Sequence, residues 1–309
     1  MAPLSVNSRT HRAHDGSTRR GLRRGTSVSF DHRLVVITGA ASGIGRALAI
    51  ALAKQGSRLA LSDIDETGLG ETRRRCLEAG GAWVQTDIVD VTDRFSMNTH
   101  ADQLALQFQR IDIVFNNAGV IFTGDFAKSK FDDIERIMNV DFWGVVNGTK
   151  AFLPYLIQSG DGYLINVSSA YGLIAAPGYS AYNAAKFAVR GFTESIQQEM
   201  RHAGHPVQVS CVYPGAVQTS ILRTSTYADG ENHAEINEVF DKMARTSPTQ
   251  AAATILRGVQ TGKKRILVGT DAVAADLMAR VGGTAYQQLF QLIRYMNQRQ
   301  KNTFGQKET

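Results

Sequence analysis

From residue 34 to residue 268, short apolar runs alternate with longer stretches in which apolar residues recur every three or four positions. Runs with no polar face suit strands covered on both sides, and the three-to-four spacing suits amphipathic helices. Strands are therefore predicted near 34–38, 58–63, 82–86, 111–116, 162–168, 207–213 and 265–268. Helices are predicted near 43–56, 66–79, 94–109, 131–158, 180–203 and 248–261. Strict strand–helix alternation implies an α/β fold: one doubly wound parallel sheet with helices on both faces. Such sheets take ligands at the carboxyl ends of their strands.

The first strand runs into a glycine-rich turn, with Gly39, Ser42, Gly43, Ile44 and Gly45 leading into an Ala/Leu-rich helix. Glycines at a strand-to-helix turn let the backbone approach a ligand closely. The helix start then offers free N–H groups and a positive dipole end to a pyrophosphate. The spacing is Gly-x-x-x-Gly-x-Gly, not the more common Gly-x-Gly-x-x-Gly. Asp63 closes the second apolar strand, where a carboxylate accepts from both ribose hydroxyls of an adenosine and repels a 2′-phosphate. No basic residue stands at position 64, and Ser42 precedes Gly43, so NAD is favoured over NADP.

Tyr182 and Lys186 are four apart and so share one helix face. A free phenol titrates near pH ~10, and a fixed neighbouring cation favours its ionised form. That pairing builds a general acid/base for a hydroxyl or carbonyl. The spacing alone is unspecific; its context is what gives it weight.

In that context the chain resembles the short-chain dehydrogenases/reductases. The matching motifs are Thr38-Gly39-x-x-x-Gly43-Ile44-Gly45, Asn116-Asn117-Ala118-Gly119, Asn139, Ser169, Tyr182-x-x-x-Lys186 and Pro214-Gly215, over roughly residues 31 to 270. The resemblance implies a Rossmann-like fold and hydride transfer between a nicotinamide cofactor and a secondary alcohol or ketone. It implies that Tyr182 is the acid/base, that Lys186 lowers its pKa and holds the nicotinamide ribose, and that Ser169 binds the substrate oxygen, with Ser168 as the rival. Asn139 would anchor a water that relays protons to the lysine. Asp87 and Ile88 would flank the adenine, and Asn116, Ala118 and Gly119 would line the cofactor. Pro214, Gly215, Val217 and Thr219 would grip the carboxamide. No metal is needed; His202 and His205 lack a third ligand nearby. The helices carrying Asn139 and Tyr182 correspond to those that pair across subunits, so a homodimer or homotetramer is expected.

Charge modifies this picture only at one end. The formal net charge is +6, but residues 1–30 hold six arginines against Asp15 alone and account for +5 of it. The rest is nearly neutral, so no nucleic-acid partner is expected. The first thirty residues read as a disordered tail, a transit-like peptide or a start assigned too far upstream. Cys76 and Cys211 lack redox or metal spacing, and no apolar stretch spans a bilayer, which agrees with a reduced cytoplasmic protein.

Two segments stay open. Residues 217–247 form a polar connection long enough to be a lid, whose Ile221, Leu222, Phe240 and Met243 either close on a substrate against a wall of Tyr171, Leu173, Ile174 and Tyr179 or simply pack lid on domain. Their apolar character points to a hydrophobic substrate. After residue 270, Tyr286, Leu289, Phe290, Ile293 and Met296 recur at helical spacing near basic residues. That stripe fits packing on the domain or on a subunit, or peripheral contact with a membrane. Two other functions compete with the oxidoreductase: a catalytically silent dinucleotide-binding regulator, and an NADP-dependent carbonyl reductase within the same chemistry.

Overall fold

The computed structural model describes residues 28–221, 225–288 and 290. Seven parallel strands form the central sheet. They are β1 (Leu34–Thr38), β2 (Arg58–Asp63), β3 (Val84–Ile88), β4 (Ile113–Asn116), β6 (Gly162–Val167), β7 (Val207–Pro214) and β9 (Arg265–Val268), in spatial order β3-β2-β1-β4-β6-β7-β9. The short strands β5 (Phe122–Thr123) and β8 (Thr226–Tyr227) pair separately. The strand order reverses between β1 and β4, which opens a crevice at their carboxyl ends.

Both faces are covered, as the unbroken apolar runs require. On one face α1 (Gly43–Ala53), α2 (Glu66–Glu78) and α8 (Pro248–Gln260) bury Leu48, Leu52, Leu69 and Ile255 against Val35, Ile37, Leu59 and Phe115. On the other, α3 (Arg94–Phe108), α5 (Gly144–Gln158) and α6 (Ser180–His202) enclose Met97, Leu104, Phe152 and Met200 with Leu34, Val36 and Leu164.

The structure departs from the sequence reading in several places. The third strand starts two residues later and runs to Ile88, because its register with β2 pairs Asp63 with Ile88. The helix expected over 131–158 is broken: α4 (Phe131–Met138) passes into a π turn (Asn139–Trp143) before α5 resumes. The lid holds a helix, α7 (His233–Met243), whose N-cap Asn232 accepts the Glu235 N–H. Finally, the boundary placed at residue 30 falls too late. Val28 and Phe30 are buried in the first core, the Val28 N–H donates to the Gln260 carbonyl, and the Ser57 hydroxyl donates to the Phe30 carbonyl.

Beyond β9, α9 (Thr270–Val281) places Ala272 and Ala275 against Ala170 and Ile174. Tyr286 and Phe290 join the same cluster, and the Tyr286 hydroxyl accepts the Ala175 N–H at 3.1 Å. This end of the stripe packs on the domain; Leu289, Ile293 and Met296 lie outside the described residues.

Candidate active site

Glycine chemistry explains the turn after β1. Gly39 has φ +67°, and a Cβ there would lie 2.6 Å from the Ala118 Cα. Gly43, at the start of α1, has φ +52° and sits against Thr219. Both positions need a residue without a side chain. Asn117 stitches the crevice by donating its side-chain amide to the Thr38 and Gly39 carbonyls at 3.0 and 3.1 Å. The sequence reading quoted Asn117 within a motif and gave it no role of its own.

Asn116, expected to line the cofactor, has its side chain in a buried network. Its carboxamide is buried and donates to Asn166 Oδ1 at 2.8 Å, and Asn166 in turn donates to Thr193 Oγ1 at 3.0 Å. This chain of buried amides ties β4 and β6 to α6, the helix that carries Tyr182 and Lys186.

Asp63 Oδ2 accepts the Ala41 N–H at 2.9 Å, and Oδ1 accepts the Ile64 and Asp65 N–H groups at 2.8 and 3.2 Å. The carboxylate is thus held at the carboxyl end of β2, beside the glycine turn. Arg58 starts the same strand, five residues and so about 16 Å away, where its guanidinium lies over Phe108. Arg46 is near, but it donates to Thr72 Oγ1 and to the Ala41 and Gly68 carbonyls. At the next strand end, Asp87 accepts from Gln85, and Ile88 presents an exposed apolar side chain. Across the crevice, Pro214 ends β7 and the Gly215 N–H bonds the Val268 carbonyl. Val217 bridges Thr246, and Thr219 follows it toward Gly43.

Tyr182, 7% exposed, and Lys186, 3% exposed, lie on the inner face of α6. The ammonium is 5.5 Å from the phenol ring centroid and donates to the Val167 carbonyl at 3.4 Å. The Ser169 hydroxyl lies beside the Tyr182 phenol and accepts the Tyr171 N–H at 3.1 Å. Burial pushes the Tyr182 phenol well above the ordinary tyrosine range, the charge of Asp141 adds to this, and the Ser169 hydroxyl partly opposes it. The resemblance implies a phenol made more acidic by Lys186; among the chain's own groups the balance runs the other way.

Burial is the first cause; the second is Asp141, which sequence reasoning missed. It is 0% exposed, with Oδ1 accepting the Val120 N–H at 2.8 Å and Oδ2 3.5 Å from Lys186 Nζ. Asn139, assigned a role beside the lysine, is exposed instead. Residues two apart on a helix point about 200° from one another, so only one of the pair faces inward. The apolar phase shows which: Ile137, Asp141, Val145, Phe152 and Leu156 are all buried on one face.

The apolar wall is likewise rearranged. Tyr171, Tyr179, Ile221 and Phe240 pack into one cluster with Tyr182, Phe122 and Ile137. Ile174 instead packs under α9, Leu173 packs on Tyr213, and Met243 is exposed. Leu222 lies outside the described residues. His202 and His205 are exposed at the end of α6, and no group of three or more potential metal-binding side chains occurs among the described residues.

A doubly wound sheet with a glycine crevice at its switch point and a Ser–Tyr–Lys group beside it defines a dinucleotide-dependent class of enzyme. The sequence profile described as short chain dehydrogenase matches residues 33–229. The chain belongs to the short-chain dehydrogenase/reductase family of oxidoreductases. It is 53% identical over 262 residues to SadH of Mycobacterium tuberculosis, an oxidoreductase by name, covering 84% of this chain and 95% of that protein. It is 29% identical to human estradiol 17-beta-dehydrogenase 11, over 82% of this chain and 80% of the relative. Among solved structures, a family member from Burkholderia phymatum in complex with NAD superposes with a TM-score of 0.76 at 28% identity, covering 84% of this chain and 96% of that one.

Proposed function

We propose that this enzyme transfers a hydride between NAD and a secondary alcohol or ketone with an apolar body. The observation that carries the reading is the placement of Tyr182 beside both Ser169 and Lys186, within an apolar cluster that includes the lid residues Ile221 and Phe240. The substrate oxygen fits between the Ser169 hydroxyl and the Tyr182 phenol. In oxidation Tyr182 removes the hydroxyl proton, and in reduction it returns one to the carbonyl oxygen. Ser169 orients that oxygen, and Lys186 holds the cofactor's ribose. The lid and the tyrosine wall of Tyr171 and Tyr179 exclude water and grip the apolar body.

The residues present fit a dinucleotide. Gly39 and Gly43 leave the crevice open to close backbone approach, and Asp63 stands fixed at the second strand end with its nearest arginine committed elsewhere. When bound, the nicotinamide accepts or supplies the hydride. Ser42, Ile44 and Gly45 would meet the pyrophosphate at the start of α1, Ile88 the adenine, and Ala118, Gly119, Pro214, Gly215, Val217 and Thr219 the rest. The complex of the Burkholderia relative with NAD, and the steroid in the human relative's name, support this choice of cofactor and an apolar substrate.

The enzyme acts as a homodimer or homotetramer, a reading supported by the exposed Phe95, Trp143 and Phe187 on and near its long helices. Its two cysteines are free and buried, in keeping with a cytoplasmic setting, and no helix among the described residues is long and apolar enough to cross a membrane. Assay of NAD reduction over a panel of linear, cyclic and steroid-like secondary alcohols tests the reading. Turnover with the apolar members is expected, and no turnover with any of them would overturn it.

A further inference from the structure

We propose that Thr72 is a specificity-determining residue, whose buried hydroxyl holds the Arg46 guanidinium captive and so withholds from the cofactor site a cation that would accept a 2′-phosphate. The inference deepens the reading of the crevice as an NAD site and rests on it. Arg46 lies in the first turn of α1, and its Nε donates to Thr72 Oγ1 at 2.9 Å. Its Nη2 donates to the carbonyls of Ala41 and Gly68, the latter at 3.2 Å. Ala41 is thus held from both sides, its N–H by Asp63 Oδ2 at 2.9 Å and its carbonyl by Arg46. One residue therefore separates the guanidinium from the carboxylate at the end of β2. Thr72 is fully buried on α2, and its hydroxyl hydrogen is shared between the Ala40 and Gly68 carbonyls at 2.9 and 3.0 Å. Gly68 lets α2 come this close, since a Cβ there would lie 2.8 Å from the Ala41 Cβ.

Arginine suits a phosphate because its planar fork offers paired N–H donors and its charge is permanent. Here the fork is spent on neutral oxygens of the turn and of α2, and Asp63 meets the ribose without it. The charged groups around Arg46 are Asp63, Asp65 and Glu71, with Arg75 of like sign. Glu71 is itself bound by Arg74 and Arg75. Room for another rotamer exists: Arg46 borders an open cleft of about 670 Å³ that it shares with Ser42, Gly43 and Thr219. Selection against NADP then has two parts, repulsion by Asp63 and the withholding of Arg46. The second is set by a threonine too deeply buried to touch a cofactor.

Thr72→Val tests this, because it removes the acceptor for Arg46 Nε. Binding of ADP-ribose and of 2′-phospho-ADP-ribose to the protein alone is measured by calorimetry; neither ligand carries a nicotinamide, so no turnover enters. Wild type should prefer ADP-ribose by about tenfold or more. In Thr72→Val that preference should narrow by about fivefold, and binding of the 2′-phosphate should become more sensitive to salt. The narrowing should vanish in the Thr72→Val/Arg46→Met double variant, and Thr72→Ser, which restores the hydroxyl, should behave as wild type. Equal weakening of both ligands in Thr72→Val would mean that Thr72 merely supports the turn, and would overturn the proposal. A narrowing that survives the loss of Arg46 would overturn it too. If Thr72→Val does not fold, Arg46→Lys replaces it: a flexible ammonium lacks the planar fork that fixes Arg46 on its acceptors, so the preference should narrow there as well, and an unchanged preference overturns the proposal. Wild type binding neither ligand would remove the dinucleotide reading and the proposal with it. Normal binding of ADP-ribose with an unchanged preference in every variant would remove the proposal alone.

Discussion

The Ser168 hydroxyl donates to the backbone carbonyl of Lys186 at 2.8 Å. This bond, buried between β6 and α6, fixes the height at which α6 presents its catalytic face. It also separates the two adjacent serines, since alternation past the end of β6 turns Ser169 toward Tyr182 and Ser168 toward the helix backbone. Ser169→Ala should therefore lower kcat by about ten- to a hundredfold with little change in thermal stability. Ser168→Ala should lower the melting temperature, because it removes a buried hydrogen bond worth about 0.5–1.5 kcal/mol. The reverse pattern would exchange the two roles.

Tyr182→Phe removes only the ionisable oxygen. Hydride transfer should fall by about 10² to 10⁴, while NAD binding, followed by fluorescence titration, stays within about twofold. Near wild-type kcat would remove Tyr182 from the mechanism. Asn139→Ala, on the exposed side of the π turn, should leave kcat/KM close to wild type; a large loss would restore the role first assigned to it.

Asp63 should make NAD preferred. A 2′-phosphate beside that carboxylate meets repulsion of about 1–4 kcal/mol, enough for a tenfold or greater preference in kcat/KM. Arg58 cannot compensate from the far end of β2, and the Arg46 guanidinium is held by the turn. Equal efficiency with both cofactors would contradict this. Asp63→Ala should narrow the preference and lower the affinity for NAD, since it also frees the Ala41, Ile64 and Asp65 amides.

Removal of residues 1–30 should lower thermal stability further than removal of residues 1–27. Phe30 is 1% exposed, and Phe30→Ala should cost about 3–5 kcal/mol in a urea melt. Equal stability of the two truncations would show that Val28 and Phe30 contribute nothing to the core.

Alkaline pH should weaken the fold. Burial pushes the Cys211 thiol up to about 11 and the Cys76 thiol up to about 12, from an ordinary value of 9.0. Groups whose folded values are raised hold their stabilising effect below the unfolded value and lose it as pH rises through the folded one. Stability should thus be level to about pH 9 and decline from there toward pH 12, with a smaller decline in Cys76→Ala. Both thiols should resist alkylation in native protein at pH 8, and rapid labelling there would show the burial to be wrong.

Local chemistry determined much of this protein from sequence alone. Apolar runs and helical spacing located all seven strands of the main sheet, because strands covered on both faces admit few polar residues. Gly39, Gly43, Asp63, Tyr182 and Lys186 stood out in the sequence because each belongs to a turn, a strand end or one helix face, where spacing along the chain sets position in space.

What only the tertiary structure decided depends on groups distant in sequence. Asp141 and Lys186 are brought together by the packing of the π turn on α6, and a helix pattern carries no sign of its partner's charge. The side chain of Asn116 resembles a ligand-lining group until Asn166 and Thr149 arrive to occupy its amide. Phe30 belongs to the core because the Gln260 carbonyl and the Ser57 hydroxyl bind its segment. The sign of the shift at Tyr182 likewise follows from three-dimensional burial and a carboxylate forty-one positions upstream, neither of which the Tyr-x-x-x-Lys spacing encodes.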